Sequence, residues 1–158
     1  MTKHYKLEVH YLSEQDKMEI CSWKYDKEYE IYNLPYYEEM KEKEQGFMNS
    51  KSEKNYRGYF DNEVLVGFTN ILEEEQEVFV GIGVHPNFCN KGYGELILNE
   101  SYKISNQYYP NKPLYLEVRT WNKRAIHCYK KVGFEIDGDS FEMKTSIGLG
   151  TFYRMIKV

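Results

Sequence analysis

Apolar and polar residues alternate at strand spacing from Tyr5 to His10, after which the pattern changes to that of a helix. Ser13, followed three residues later by Asp16 and then by Met18, Ile20 and Cys21, is a box-like cap on that helix. A second helix is predicted after Pro35 and before Gly46, because proline suits a helix start and glycine a helix end. Asn55 to Phe60 and Val64 to Ile71 are strand-like runs joined at Asp61-Asn62, and Glu77 to Val84 is a third run after the acidic turn Glu73-Glu74-Glu75. These three are expected to be antiparallel. Tyr93, Leu96, Ile97, Ser101, Ile104 and Tyr108 then recur at helical spacing and predict one apolar face.

Leu114 to Thr120 is strand-like, and Asn122 is placed to cap a helix from Lys123 to Val132 that stops at Gly133. A strand-helix-strand crossover brings its two strands side by side and parallel, so the strands ending at Val84 and Thr120 are expected as neighbours. Phe134 to Ser146 and Thr151 to Val158, joined across Ile147-Gly148-Leu149-Gly150, predict a closing pair of strands. The whole reads as an α/β (α+β) chain forming a single domain over residues 1–158, with no internal repeat or linker.

One segment carries more than fold. Val84-His85-Pro86-Asn87-Phe88-Cys89-Asn90-Lys91-Gly92-Tyr93-Gly94-Glu95 runs from a strand through a proline-broken turn into a glycine-rich helix start. The first N–H groups of a helix have no partner within it, and glycine lets an anion approach them, so such a turn is a cradle for a pyrophosphate. Two glycines flanking Ile82 are expected to leave main chain open to a ligand as well.

Composition narrows the choice of partner. Hydrophobic residues at 41% and charged residues at 29% describe a globular protein, and a net charge of -4 with no basic run argues against nucleic acid. No stretch reaches the ~18 consecutive apolar residues of a membrane span and no leader pattern opens the chain, so a cytoplasmic protein without membrane partners is expected. Cys21, Cys89 and Cys128 are widely spaced and odd in number, which predicts reduced thiols. His4, His10, His85 and His127 show no ligand spacing, so no metal is expected.

Two motifs together resemble the GNAT superfamily of acetyl-CoA-dependent N-acetyltransferases. The turn Cys89-Asn90-Lys91-Gly92-Tyr93-Gly94 stands where that family has Gln or Arg, two residues, Gly, one residue, then Gly or Ala. Cys89 occupies the place of the usual Gln or Arg, a departure that main-chain contacts tolerate because any non-proline residue supplies an N–H. The second motif runs from Leu116 to Phe134 and is similar to the family's pattern of strand, Asn, Ala-Ile, Tyr and Gly-Phe, here Asn122, Ala125-Ile126, Tyr129 and Gly133-Phe134. In look the chain is nearest to the bacterial ribosomal-protein acetyltransferases.

The resemblance implies a mixed, mostly antiparallel central sheet of about six to seven strands, helices on both faces, and a splayed parallel pair at the cofactor site. It implies acetyl-CoA as cosubstrate, held by the main chain of Cys89, Asn90, Lys91, Gly92, Tyr93 and Gly94, with Ile82, Gly83 and Val84 beside the pantetheine and Asn122 orienting pantetheine or a water. Tyr129 would donate a proton to the departing thiolate. Glu117, twelve residues earlier, would be the base for the amine. Taken alone, Tyr129 reads as a core aromatic, Glu117 equally as an ion-paired strand carboxylate, and Asn122 as a cap. The acceptor implied is an amine-bearing small molecule or a protein N-terminus, and a homodimer is left open. Trp23, Tyr25, Tyr29, Tyr32, Tyr36 and Tyr37 form either an aromatic slot for that amine or core. A catalytically silent coenzyme A sensor or peptide-binding module on the same fold is the alternative.

Overall fold

A computed structural model describes residues 6–158, in the order β1 (Glu8–Tyr11), α1 (Glu14–Ser22), α2 (Tyr37–Glu42), β2 (Tyr56–Asp61), β3 (Val64–Glu73), β4 (Val78–Val84), α3 (Tyr93–Tyr108), β5 (Leu114–Arg119), α4 (Lys123–Val132), β6 (Phe134–Ile136), β7 (Phe141–Thr145) and β8 (Gly148–Lys157). Tyr5, where the first strand was expected to start, lies outside the described residues. The strands pair in the order β1-β2-β3-β4-β5-β8-β6, with β7 also on β8. The pairs β1/β2, β2/β3, β5/β8, β6/β8 and β7/β8 are antiparallel, whereas β4 and β5 are parallel through Val78↔Leu114 and Phe79↔Tyr115. This is the mixed, mostly antiparallel sheet with a parallel pair that the resemblance implies, built of eight strands where about six to seven were expected.

The chain clusters into two compact units: Met1–Asn70 with Ile82–Tyr93, and Ile71–Gly81 with Gly94–Val158. The first buries Leu12, Ile20, Cys21, Trp23, Met40, Phe47 and Leu65, with Leu34, Tyr56, Phe60 and Phe68 packed against them. Its helix α1 begins as the sequence predicts. Ser13 Oγ accepts from the Asp16 N–H at 3.1 Å, and Asp16 Oδ2 accepts from the Ser13 N–H at 2.9 Å. The buried Lys17 ammonium is held by Glu14 at 3.1 Å and Glu53 at 2.8 Å, so its charge is paired on leaving water. The hairpin β2/β3 turns on Asn62 and Glu63, both left-handed at φ 49° and 71°, as a two-residue hairpin loop requires.

Helix α2 ends at Glu42, earlier than Gly46. The Gln45 N–H donates to the Met40 carbonyl and the Glu44 N–H to the Lys41 carbonyl, with Glu44 left-handed at φ 49°. This is a Schellman stop whose left-handed position holds glutamate where glycine is usual. Replacing Glu44 by Gly should therefore raise stability by about 0.5–1 kcal/mol, measured as a higher urea midpoint at unchanged slope.

The second unit buries Ile71, Val78, Val80, Ile97, Leu98, Leu114, Leu116, Val118, Ile126, Val132, Phe134, Phe152 and Met155, each large apolar side chain among them contributing about 1.5–3 kcal/mol on leaving water. On α3 the buried positions are Ile97, Leu98, Ser101 and Ser105, while Tyr108 is 56% exposed. The buried stripe is thus displaced from the one expected through Leu96 and Tyr108. Small serines line it, and the Ser101 hydroxyl is satisfied by the Ile97 carbonyl at 2.8 Å. The closing pair expected after Phe134 is three strands. A break at residues 137–140, with Gly138 left-handed at φ 81°, splits the first run into β6 and β7, and β8 starts at Gly148.

Candidate functional site

The glycine-rich segment folds as its sequence demands. Strand β4 ends at Val84, Pro86–Phe88 form one turn of 3-10 helix, residues 89–92 turn, and α3 begins at Tyr93. His85 Nδ1 accepts from the Asn87 N–H at 3.0 Å, so the imidazole serves as the cap of the 3-10 turn and is neutral in that role. Burial lowers the His85 pKa, partly opposed by Glu19, which favours this form. Trp23 and Phe88 pack on the His85 ring at 4.9 and 5.1 Å between centroids, and Phe88 continues to Tyr93 at 5.5 Å. The Tyr93 hydroxyl donates to Asp61, and the Lys91 ammonium lies 5.7 Å from the Phe88 centroid. An aromatic row thus supports the turn from one side.

The turn itself fits a phosphate. Asn90 and Gly92 are both left-handed, at φ 63° and 87°. Left-handed residues in a tight turn make the backbone concavity that gathers N–H groups around anions. A Cβ at Gly92 would meet nothing within 4 Å, so the approach to this main chain is open. The Cys89 thiol faces the carbonyls of His85 and Val84, at 3.6 and 3.9 Å. It is therefore turned toward the strand.

Along β4 the edges are assigned by hydrogen bonding. The His85 N–H donates to the Val66 carbonyl on β3 at 2.8 Å. Because main-chain groups of successive strand residues point to alternate sides, the N–H and C=O of Val84 point away from β3. The Val84 carbonyl accepts from the Tyr25 hydroxyl at 2.7 Å, a contact that sequence reasoning missed. A Cβ at Gly83 would collide with the half-buried Phe68 ring, so the missing side chain makes room for that ring. The remaining aromatics divide. Trp23 is core, Tyr29 and Tyr32 stack at 6.5 Å, and Tyr36 is 75% exposed beneath the Lys24 ammonium.

Glu117, Asn122 and Tyr129 occupy successive elements of the second unit, β5, the N-terminus of α4, and α4. Asn122 is buried and its Oδ1 accepts from the Ala125 N–H at 3.2 Å, while Gly133 stops the helix in the left-handed form at φ 100°. Tyr129 is half-buried. Glu117 forms no ion pair among the described residues; burial raises its carboxyl above the ordinary value, the Glu74 carboxylate raises it further, Arg154 opposes this, and Glu77 adds to it. A carboxyl so placed holds a proton more readily than one in water, which suits a base. Arg154 on β8 was invisible to sequence patterning, because only the β5/β8 register sets it opposite Glu117. Cys128 is a poor nucleophile: burial, with Glu95, pushes its thiol up to about 11.

Residues 17–134 match the model of the acetyltransferase (GNAT) family. The chain belongs to the GNAT acetyltransferase family. The match runs through the turn at 89–94 and through Glu117, Asn122 and Tyr129. Among curated proteins, GNAT relatives include the N-alpha-acetyltransferase of Sulfurisphaera tokodaii, 34% identical over 110 residues, or 65% of this chain. The N-alpha-acetyltransferase of Sulfolobus acidocaldarius is 35% identical over 109 residues. The chain spans 66% of the length of the Sulfurisphaera protein and 65% of the Sulfolobus one. Among solved structures, a spermidine N-acetyltransferase chimera from Vibrio cholerae and a second source, 19% identical, superposes over 96% of this chain and 95% of its own with a TM-score of 0.75. The ribosomal-protein-S18-alanine N-acetyltransferase of Escherichia coli, 19% identical, covers 96% and 93% with a TM-score of 0.66. These two share the GNAT fold with the present chain.

Proposed function

We propose that residues 1–158 are a single acetyltransferase domain that moves an acetyl group from acetyl-CoA to a primary amine by direct attack in a ternary complex. The observation that carries this reading is the family match, which takes in both the open left-handed turn and the segment bearing Glu117 and Tyr129. In the proposal the main chain of Cys89 to Gly94 holds the pyrophosphate, and Lys91 adds positive charge. Ile82, Gly83 and Val84 run beside the pantetheine, with the Val84 N–H donating to the thioester oxygen as charge develops there. Asn122 orients pantetheine or a water. Acetyl-CoA supplies an activated acyl carbon and a thiolate leaving group.

A small alkyl ammonium with a pKa near ~10.4 is neutral in only about four molecules per ten thousand at pH 7, and an α-ammonium near ~8 in about one in ten, so a base accelerates attack by either. Glu117 takes that proton, directly or through water. Tyr129 donates its phenol proton to the coenzyme A sulfur as the C–S bond breaks, and recovers one from solvent afterwards. The acceptor class proposed first is a protein N-terminus, after the name of the curated relatives, with small amines second. Cys21, Cys89 and Cys128, none of them in a disulfide, fit a reducing, cytoplasmic setting.

Acetyl-CoA-dependent thiol release across a panel of peptides with free N-termini and of small amines tests the reading. Release with at least one acceptor is the expected outcome. Calorimetric binding of coenzyme A without release from any acceptor would instead describe a sensor.

A further inference from the structure

The second unit holds a charged cluster that the proposed chemistry does not yet use. Arg154 on β8 donates through both terminal nitrogens to the two Glu77 carboxylate oxygens, each at 2.8 Å, and through Nε to Asp137 at 3.0 Å. Its guanidinium also lies 4.2 Å from the Tyr115 ring centroid. Tyr115 in turn donates to Glu74 at 2.6 Å, and Glu74 is tied through its carbonyl to Lys112 at 2.8 Å. The guanidinium is therefore engaged on three nitrogens and one face. Its register partner across the β5/β8 ladder is Glu117, and cross-strand partners in an antiparallel pair share a face of the sheet. A cation thus stands on the strand next to Glu117 without forming an ion pair with it among the described residues.

We propose that Glu77 is a positioning residue for the base: by holding the Arg154 guanidinium in a forked pair, with Asp137 as its second anchor, it keeps that cation from pairing with Glu117. This inference rests on Glu117 being the base. A bidentate arginine–carboxylate pair is geometrically exacting, so the arginine that forms it has few donors left to turn toward a neighbour. Were Arg154 released, Glu117, its register partner on the same face of the sheet, would be a carboxylate toward which it could turn. An ion pair there would hold Glu117 ionised and lower its affinity for the proton that an ammonium substrate must give up.

The charged groups around Glu117 come from three elements: Glu74 and Glu77 from the β3–β4 connection, Arg154 from β8, and, through Arg154, Asp137 following β6. Tyr115, on its own strand, is kept protonated by burial and by its bond to Glu74. Glu77→Gln removes one neighbouring negative charge and releases the two terminal nitrogens of the guanidinium, and both effects favour ionised Glu117. Arg154→Met removes the cation and leaves Glu77 unpaired, and both effects disfavour it. The two variants are thus expected to move the Glu117 titration in opposite directions.

Carboxyl carbon NMR of protein labelled at glutamate, with Glu117→Gln used to assign the Glu117 resonance, reads this without any turnover. The midpoint should fall by about one pH unit in Glu77→Gln and rise by about one in Arg154→Met. Glu77→Asp, which keeps the charge, should stay near the parent. If Arg154→Met does not fold, Glu77→Gln against Glu77→Asp carries the test. A midpoint that is the same in Glu77→Gln as in the parent overturns the proposal. The underlying reading is tested separately by the acid limb of the rate profile, which should disappear in Glu117→Gln. If that limb persists there while the NMR midpoints still shift, the clamp stands and the assignment of the base falls.

Discussion

Replacing Tyr129 by Phe is expected to lower turnover by about 100-fold while leaving coenzyme A affinity nearly unchanged. The magnitude follows from the proposed role, since one positioned acid contributes about 10²–10⁴ in rate, and 100-fold corresponds to about 2.7 kcal/mol. The phenol is a workable acid for this leaving group: its reference pKa of ~10 lies only about 1.5 units above the ~8.5 of a thiol. The ring should stay where it is, because Tyr129 lies on the α4 face that also carries Ile126 and Val132, both buried, and phenylalanine keeps the same apolar body. Steady-state kinetics with calorimetric titration of coenzyme A separates the two effects. A donor thioester with a more acidic thiol should narrow the gap between parent and variant, since its thiolate leaves with less help. Equal turnover of the two proteins with acetyl-CoA would remove Tyr129 from the mechanism and return it to the core aromatic that its helix spacing alone suggests.

Legibility from sequence followed locality. The cap at Ser13 and Asp16, the turn at Asn62, the helix Lys123–Val132 with Asn122 and Gly133 at its ends, and the parallel pairing of the strands after Val78 and Leu114 all depend on residues close in the chain or on crossover handedness. Each was readable. Most of what failed depended on company from afar. Helix α2 is the local exception: it stopped short because an exposed glutamate accepts the left-handed conformation that glycine was expected to supply, which propensity does not forecast. The room that Gly83 leaves for the Phe68 ring was not readable, because Phe68 is distant in sequence. At the candidate site the motif residues were legible one by one, but the clamp of Glu77, Arg154 and Asp137 was not. Its members are joined only by the β4/β5, β5/β8 and β6/β8 pairings, and nothing in the spacing of one acidic turn and one terminal arginine announces them.

Gly92→Val is expected to weaken coenzyme A binding by about 100-fold while costing the fold no more than about 1–2 kcal/mol. Two physical effects act at this one position. Gly92 is left-handed at φ 87°, a conformation in which a β-branched residue is strained by about 1–2 kcal/mol, so the turn is driven toward another shape. Nothing lies within 4 Å of its would-be Cβ, so the new side chain finds room without displacing protein atoms and stands on the open approach to the main chain. Loss of two charge-assisted hydrogen bonds from the main chain to a phosphate, at about 1.5 kcal/mol each, gives about 3 kcal/mol and hence the 100-fold figure. Asn90 supplies the contrast. It too is left-handed, at φ 63°, and glycine adopts that conformation freely, so Asn90→Gly should leave affinity intact or improve it. Calorimetry of coenzyme A on both variants, with a thermal melt of each, reads binding apart from folding. A Gly92→Val protein that binds coenzyme A as tightly as the parent would mean that the phosphates rest elsewhere, and the turn would then be an ordinary connection between β4 and α3.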